Sequence, residues 1–382
     1  MLVLECKLVA KKEQIERMDE AIRIGQFIRN KALRLWMDTD ASAHDLNRYC
    51  AVLAQEYPFA RVLNSQARQS AAERAAYAIS RYLKPDKNAK RLKRPRFQKK
   101  NRSVEYKTTG WKLSEDRRRI TFTDGLGIGR MKMLGTRDLC AYDINTIKRV
   151  RILRRADCYF VQFCIAVDRS EEIAPSGKSL GLDMGLKTFY TDSEGESVPC
   201  PKYLRKAEKR LKREQRRLSR KQKGSRNRRK ARVRVSRRHL KVQRQRKDFA
   251  VKLARCVVMS NDIVALEDLQ VRNLVKNRKL SKSIHDAAWS QFANWLLYYG
   301  SIFGRSVVKV PPAYTTQDCS DCGNRVKKAL SERTHICSCG LVLDRDENAA
   351  RNILRLGLQQ LCLTNELHST GGQPGTDAAI AA

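Results

Sequence analysis

The sequence predicts a multidomain protein of the α+β class, and three changes of pattern along its 382 residues support this prediction. Residues 11–85 carry apolar side chains at helical spacing, after a short first strand at 1–10. Residues 86–172 contain short β-rich runs separated by Gly, Asp and Arg clusters. From residue 173 onward, strands alternate with long helical segments, as in an α/β domain. With 42% hydrophobic residues, the chain can bury two or three cores.

The early helices are expected to form a domain inserted into the β-rich one. The segment EQIERMDEAIRIGQFIRNKALRLWM places Ile15, Met18, Ile22 and Leu33 along one broad apolar stripe. The strands at 86–172 predict a small antiparallel barrel or sandwich, to which the first strand returns. The segment SEEIAPSGK then marks a domain boundary by its Ser, Pro and Gly content.

The net charge indicates a polyanionic partner. The chain has 79 Lys and Arg against 40 Asp and Glu, a formal charge of +39, and such an excess favours nucleic acid. Residues 201–250 alone contain 24 Lys or Arg against three acids, and Leu204, Leu211 and Leu218 recur at every seventh position. Because Gly224 can turn the chain, we predict a basic helical hairpin at 201–258 that contacts nucleic acid.

A membrane partner is not expected. No run approaches the roughly 18 apolar residues that span a bilayer, and the opening MLVLECKLVA has no basic leader. Eight of the twelve cysteines are scattered singly, which is typical of thiols in a reducing compartment. The sequence therefore predicts a cytoplasmic protein.

The other four cysteines have the spacing of a metal site. Cys319 and Cys322 form one knuckle, and fourteen intervening residues lead to the second, Cys337 and Cys339. Four thiolates favour tetrahedral Zn²⁺ in a closed, structural site, so this zinc is not expected to perform chemistry. The second knuckle is one residue shorter than the common CxxC, which leaves His335 as an alternative ligand.

Three carboxylates stand out by their context. Asp183 ends the apolar strand SLGLD, Glu267 ends the core-type strand DIVALE, and Asp346 begins the final helix. A carboxylate half-buried at the end of a core strand is costly unless a cation accompanies it, and oxygen ligands suit Mg²⁺ or Mn²⁺. Two such ions would support phosphodiester cleavage. Asp268 and Asp344 are rival carboxylates, and periodicity alone does not decide between Asp344 and Asp346.

Several motifs follow one another in the order of a known family. The segments GLDMGLK, KGSRNRRKA, ALEDLQVRNLVKNRKLSKSI, DAAWSQF, TTQDCSDCG and CGLVLDRDENAARNI, from about Ser179 to Leu356, resemble those of the TnpB family. TnpB proteins are RNA-guided endonucleases of bacterial insertion sequences and relatives of the type V CRISPR effectors. In the N-terminal half, the resemblance rests only on the general pattern of helical and strand segments and on the segment RPRFQKKNR.

The resemblance implies a fold and a set of site residues. It implies an RNase H-like (RuvC) α/β nuclease domain at 173–314 and 341–361, with a catalytic triad of Asp183, Glu267 and Asp346. The second Asp of the DRDxNAA motif is catalytic in the family, which favours Asp346 over Asp344. A zinc finger that binds the target nucleic acid is inserted at 315–340, the β-rich domain is a wedge domain, and the helices at 11–85 are a recognition domain. Residues 362–382 are expected to be a disordered tail.

The resemblance also implies partners. A guide RNA (omega RNA), read by base pairing, directs cleavage of double-stranded DNA beside a short adjacent motif, and the expected assembly is a monomer with one RNA that acts at the nucleoid. Trp111, Tyr106 and Tyr159 are candidate stacking platforms, although aromatic residues on strands are more often core. The expected cationic contacts are Arg226, Arg228, Arg229, Lys230, Arg272, Lys276, Arg278 and Lys279.

Two other functions are alternatives to this one. A catalytically silent RNA-guided DNA-binding protein or repressor on the same scaffold would lack at least one of the three carboxylates, and all three are present. A transposase would be expected to pair histidines with a nucleophilic Tyr, and the five His residues lie apart from one another in the sequence.

Overall fold

The computed structural model describes residues 1–83, 94–329 and 332–370, and the chain divides into two compact units. The first unit is Met1–Arg169 and the second begins at Ser170, three residues before the predicted boundary. In the described part of the chain, no helix is both long and apolar enough to cross a membrane.

The first unit contains a seven-stranded antiparallel sheet. Its order is β2-β6-β7-β1-β5-β4-β3, so the N-terminal strand lies in the middle. Alternate residues of that strand are buried, which gives the sheet one face toward the core. The strands are β1 (Leu2–Val9), β2 (Ser103–Tyr106), β3 (Trp111–Leu113), β4 (Arg119–Phe122), β5 (Gly129–Leu134), β6 (Ile147–Arg154) and β7 (Tyr159–Ile165).

Four helices share a core with this sheet. They are α1 (Lys12–Thr39), α2 (Ala43–Glu56), α3 (Pro58–Arg61) and α4 (Ser65–Leu83). α1 and α4 lie against β2, and α2 and α3 pack on the other helices. Ser42 begins α2 by accepting a hydrogen bond from the Asp45 amide, in a capping box. Ile22 and Leu33 of α1 lie in the same hydrophobic core as Leu4 and Val161 of the sheet. The predicted division into a helical domain at 11–85 and a β domain is therefore wrong in one respect: helices and sheet share one core. Residues 84–93 at this junction lie outside the described residues.

The three candidate stacking aromatics belong to that core. Trp111 is 8% exposed and its indole N–H donates to the Lys107 carbonyl oxygen at 2.8 Å. Tyr106 is fully buried and its hydroxyl donates to Asp124, while Tyr159 is 6% exposed and donates to Asp19. The sequence leaves two roles open for these rings, and their burial agrees with the more common one, a place in the core, and not with a stacking surface.

The second unit is built on a mixed five-stranded sheet. The strands are β8 (Ser179–Asp183), β9 (Thr188–Asp192), β10 (Ser197–Pro199), β11 (Ile263–Glu267) and β12 (Ser306–Val310), in the order β10-β9-β8-β11-β12. β8, β9 and β10 are antiparallel neighbours, whereas β8, β11 and β12 run parallel. The parallel strands place their carboxyl ends at one edge of the sheet.

The helices described in this unit are α5 (Tyr203–Ser219), α6 (Arg226–Ser260), α7 (Val271–Leu274), α8 (Ser281–Ala287), α9 (Trp289–Phe303) and α10 (Arg345–Thr370). Three of them, α6, α9 and α10, pack on the sheet, and the others pack on helices. Phe189 of β9 and Phe292 of α9 meet edge to face at 5.1 Å in the larger core, and Ile353 of α10 packs with Val308 and Val310 in a smaller one.

The basic helical hairpin is present as α5 and α6. Ser225 begins α6, its side chain accepting from the Arg228 amide. The hairpin is anchored at its base by Asp286, which is 5% exposed, accepts from the Leu204 and Arg205 amides, and pairs with Arg246 at 2.9 Å. Two helix N-terminal amides and a guanidinium thus satisfy one buried carboxylate.

Two predicted boundaries near the C-terminus differ from the structure. The antiparallel strands β13 (Thr334–Ile336) and β14 (Val342–Asp344) belong together, so the inserted finger extends past residue 340 to Asp344. The final helix continues to Thr370, so the prediction of disorder from residue 362 is wrong for 362–370. The tail is predicted from composition, which does not show that α10 continues into it. Residues 371–382 lie outside the described residues.

Candidate active site and cysteine cluster

Asp183 and Glu267 stand on neighbouring parallel strands. Leu182 of β8 is paired in register with Leu266 of β11, so the carboxylates occupy the next position on each strand, at the carboxyl ends. Asp183 is half-buried and Glu267 is 8% exposed. Asp183 and Glu267 therefore lie side by side although 84 positions separate them in the sequence.

Gly181 allows the third carboxylate to approach. A Cβ atom at Gly181 would lie 2.1 Å from the carbonyl oxygen of Ala350, which is backbone of α10. Only glycine lets β8 and α10 lie this close. Asp346, one turn before Ala350, is thereby brought toward Asp183. Gly181 therefore has a packing role between β8 and α10.

Asp344 and Asp346 have different roles in the structure. The Asp344 carboxylate accepts from the Asp346 amide at 2.8 Å and so caps the start of α10. Asp346 is directed to two guanidinium groups, Arg345 at 3.2 Å and Arg333 at 3.4 Å. The geometry makes Asp344 a helix cap and leaves Asp346 as the functional candidate.

Asp268 also separates from its neighbour. Its side chain is 52% exposed and lies 3.6 Å from Lys309. Glu267, by contrast, accepts a hydrogen bond of 2.7 Å from the buried Thr315 hydroxyl. An exposed ion pair is the ordinary surroundings of a surface acid, whereas a buried carboxylate held by a hydroxyl is typical of a site.

The three carboxylates repel one another electrostatically. Burial raises the pKa of Asp183 to about 8, and the charges of Glu267 and Asp346 add to this shift, while Arg345 opposes it. Burial also raises the pKa of Glu267, with the Thr315 hydrogen bond opposing. Neighbouring carboxyls with raised pKa values would be stabilised in the charged form by a cation, and their oxygen atoms are suitable ligands for a divalent ion such as Mg²⁺.

The four cysteines meet as predicted. Their sulfur atoms all lie within 4.8 Å of one another, with Cys319 and Cys339 at 3.7 Å and Cys322 and Cys337 at 3.5 Å. The backbone hydrogen bond from Cys339 lowers the pKa of Cys337 to about 6. Gly323 and Gly340 follow the knuckles with positive φ of 78° and 95°. These residues could hold a metal such as zinc.

His335 is not part of this cluster. It is fully buried, and its Nδ1 contacts the Lys328 ammonium, while burial lowers its pKa. Among the residues that the structure describes, no other set of three His, Cys, Asp or Glu side chains meets the spacing of the four cysteines. The three carboxylates are therefore a looser set than the thiols.

Most of the predicted basic contacts are exposed. Arg228 is the exception: its guanidinium donates to the carbonyl oxygens of Leu218 and Lys221 at 3.0 and 2.7 Å, so it closes the turn of the hairpin. The exposed ones are Arg226, Arg229, Lys230, Arg272, Lys276, Arg278 and Lys279. Whether they contact nucleic acid stays a prediction.

A basic groove on α5 was missed from the sequence. It has a volume of about 720 Å³ and is lined by Lys209, Arg210, Lys212, Arg213, Arg216, Arg217 and Arg220. Helical spacing of these cations along residues 209–220 was a signal that could have found it, since every third or fourth position is basic.

The chain is similar in sequence to known proteins. The OrfB_IS605 family, described as "Probable transposase", matches residues 162–278, and "Cas12f1-like, TNB domain" matches residues 289–353. The chain is 30% identical over 286 residues to "Putative RNA-guided DNA endonuclease InsQ" of Escherichia coli (strain K12), covering 70% of this chain and 69% of that protein. It is 38% identical over 206 residues to "Putative RNA-guided DNA endonuclease" of Streptomyces pristinaespiralis, covering 53% of this chain and about half, 51%, of that protein.

A solved structure shares the fold. The Cas12f1 protein of a complex with sgRNA and target DNA matches with a TM-score of 0.55 and 14% identity, over 89% of this chain and 82% of that chain. The chain is a multidomain protein of mixed α/β architecture that shares the fold of this Cas12f1 protein. The chain belongs to the TnpB family, which its similarity to the Escherichia coli protein shows.

Proposed function

We propose that the protein is an RNA-guided DNA endonuclease of a transposable element that cuts at a RuvC-type site. The observation that carries the proposal is the position of Asp183 and Glu267 at the ends of adjacent parallel strands, with Asp346 on the helix packed against the same strands. The names of the relatives support an endonuclease of this kind. The sheet order, three antiparallel strands continued by two parallel ones, supports the RNase H-like assignment.

Asp183, Glu267 and Asp346 would hold Mg²⁺ or Mn²⁺. Bound there, divalent metal supplies the activation of water and the stabilisation of the attacking and leaving oxygens of an in-line phosphodiester displacement. The chain's own part is to present the ligands. Thr315 orients Glu267 through its hydroxyl, and Asp183 holds a proton on its carboxyl at neutral pH until it becomes a ligand. Arg345 and Arg333 place positive charge where a phosphate would arrive.

The remaining parts of the molecule serve recognition in this proposal. The sheet of the first unit is the wedge and its helices are the recognition element. The cysteine cluster, with zinc bound, organises a finger (residues 315–344) that contacts target DNA. The hairpin of α5 and α6 offers cations in the α5 groove for the backbone of a guide RNA or of its duplex with target. One chain with one RNA, acting in the cytoplasm at the nucleoid, is the proposed assembly.

The test begins with the protein purified together with its RNA. That RNA is sequenced, and cleavage of a plasmid carrying the matching target is measured with Mg²⁺ for the unchanged protein and for Asp183→Asn. We expect the variant to keep its RNA and its thermal unfolding temperature and to lose cleavage. Asp248→Asn, which changes an exposed acid on α6, is the matched control and should cut normally. Cutting by Asp183→Asn contradicts the site, and target binding without cleavage by the unchanged protein supports a silent binder.

A further inference from the structure

Glu267 is fixed by a residue that lies outside the nuclease sheet. The Thr315 hydroxyl donates to Glu267 Oε1 at 2.7 Å, and Thr315 is 3% exposed. Thr315 lies in the segment that leaves β12 and leads directly to Cys319. A buried carboxylate depends strongly on each donor that it has, because water cannot replace one that is lost.

Thr315 is in turn held by α10. The side-chain amide of Asn352 donates to the carbonyl oxygen of Thr315 at 3.0 Å and to that of Asp318 at 2.6 Å. One turn earlier on the same helix, Asn348 donates to the Asp318 carbonyl oxygen at 2.8 Å. The helix that carries Asp346 is thus hydrogen-bonded to the segment that carries Thr315.

The same asparagines reach the first cysteine knuckle. Asn348 Oδ1 accepts from the backbone amide of Ser320 at 2.9 Å, and Ser320 stands between Cys319 and Cys322. Asn348 and Asn352 are 0% and 1% exposed. Two amides buried on a helix facing loop backbone are costly unless paired, and here both are paired with the 315–320 segment.

We propose that Thr315, Asn348 and Asn352 are positioning residues that couple metal binding at the cysteine cluster to the orientation of Glu267. Metal bound by Cys319 and Cys322 fixes the backbone of Asp318 and Ser320. The two asparagines hold that backbone against α10, and Thr315 then aims its hydroxyl at Glu267. The coupling rests on the proposed function, because it assigns Glu267 to the binding of the catalytic ion.

The first test measures Mn²⁺ binding to the RNA-bound protein, without DNA, by electron paramagnetic resonance. Thr315→Val keeps the side-chain shape and removes the hydroxyl, and we expect about tenfold weaker Mn²⁺ binding, as for other lost partners of metal ligands. Thr315→Ser restores the hydroxyl and should restore Mn²⁺ binding. Unchanged Mn²⁺ binding in Thr315→Val, or equal loss in both variants, would overturn the role of this hydroxyl.

The second test asks whether the cysteine cluster acts through Thr315. The double change Cys319→Ser with Cys322→Ser leaves two thiolates, too few for a closed zinc site. We expect it to weaken Mn²⁺ binding about tenfold when Thr315 is present and to add little in the Thr315→Val background, since the two changes break one chain of contacts. If the losses of Mn²⁺ binding are fully additive, the cysteine cluster and Thr315 act independently, and the proposed coupling is wrong.

Asp183→Asn separates the two proposals. If Asp183→Asn binds Mn²⁺ as well as the unchanged protein, the proposed nuclease site is wrong. If it loses Mn²⁺ binding while Thr315→Val does not, the nuclease site stands and only the coupling fails. Thermal unfolding and zinc content are measured on every variant. Asn348→Ala gives an independent second probe of the same chain of contacts, with the loss of Mn²⁺ binding again as the expected result.

Discussion

The cysteine cluster and the carboxylate site are assembled in opposite ways. The four thiols come from a single stretch of 21 residues, Cys319 to Cys339, and their sulfur atoms lie within 4.8 Å. The carboxylates come from two strands and a helix, and they depend on β8, β11 and α10 packing correctly. One site is set by local chain geometry and the other by the fold of the whole unit.

The two sites also differ in the partners of their side chains. The thiols face one another, with sulfur–sulfur distances of 3.5 and 3.7 Å. The carboxylates have separate partners: Thr315 donates to Glu267, two arginines pair with Asp346, and burial raises the pKa of Asp183. The difference teaches that the cysteines form a complete ligand set within one segment, whereas each carboxylate is held by residues of other elements.

The largest expected effect separates Glu267 from its neighbour. Glu267→Gln should reduce cleavage by more than about 100-fold, since loss of even an outer partner of a metal ligand costs roughly 10- to 100-fold. Asp268→Asn, the matched change at the exposed position, should leave cleavage within a few-fold. Rates of plasmid cutting at saturating Mg²⁺ decide this, and equal losses would mean that the strand-end geometry does not distinguish the two acids.

The next effect concerns the cysteine cluster. Cys319→Ser should release zinc and reduce cleavage while guide RNA retention stays mostly intact, because the ligand lies in the finger and not in the basic hairpin. Zinc stoichiometry, RNA content and limited proteolysis of residues 315–344 are the measurements. Cys256→Ser, at an exposed thiol of α6, is the control. Loss of RNA together with zinc would refute the separation of the finger from RNA binding.

The carboxylate site should show a pH dependence of Mn²⁺ binding. The pKa of Asp183 is about 8, against the usual 3.8, so below pH 8 a metal ion must displace a proton from this carboxyl. The affinity for Mn²⁺ should therefore fall about tenfold for each unit by which the pH is lowered below 8. The metal-free fold binds more protons than the unfolded chain between those values, so its stability should decline as pH rises through about 8. Mn²⁺ titrations and thermal unfolding from pH 5 to 9 test both trends, which Asp183→Asn should flatten.

The smallest effect concerns the cations of the α5 groove, away from the local contacts that build either site. Arg213→Gln in the α5 groove should lower the slope of log affinity for guide RNA against log salt by about 0.7 to 0.9, the release of one phosphate contact. Arg228→Gln should leave that slope unchanged and loosen the hairpin turn instead. An unchanged slope in Arg213→Gln would place the RNA elsewhere.

Sequence reasoning succeeded where the signal is local. The cysteine spacing predicted a cluster that the structure contains, and the apolar strands before Asp183 and Glu267 predicted where those carboxylates lie in the sheet. The capping role of Asp344 is also a local contact, but two acids separated by one residue at a helix start look alike in sequence. Only the direction of the carboxylate distinguishes them.

Nonlocal features escaped prediction for physical reasons. Asn348 and Asn352 bond to backbone carbonyl and amide groups, which every residue has, so no residue pattern reveals their partners. The Thr315 hydroxyl meets the Glu267 carboxylate across 48 positions of the sequence, which no local pattern indicates. Trp111 was misassigned because a basic neighbourhood in sequence says nothing of which sheet face a ring occupies. The single core of the first unit likewise depends on α1 and α4 packing against β2, and the residues of these elements do not indicate their partners.

The carboxylate site depends on Gly181, an uncharged residue that takes no direct part in it. A single methyl group there would act as a wedge between β8 and α10 and would push Asp346 out of reach while leaving all three acids in the chain. Such a protein can therefore lose its activity without losing any of the three carboxylates. A search for the carboxylates alone would then count an inactive copy as an active one.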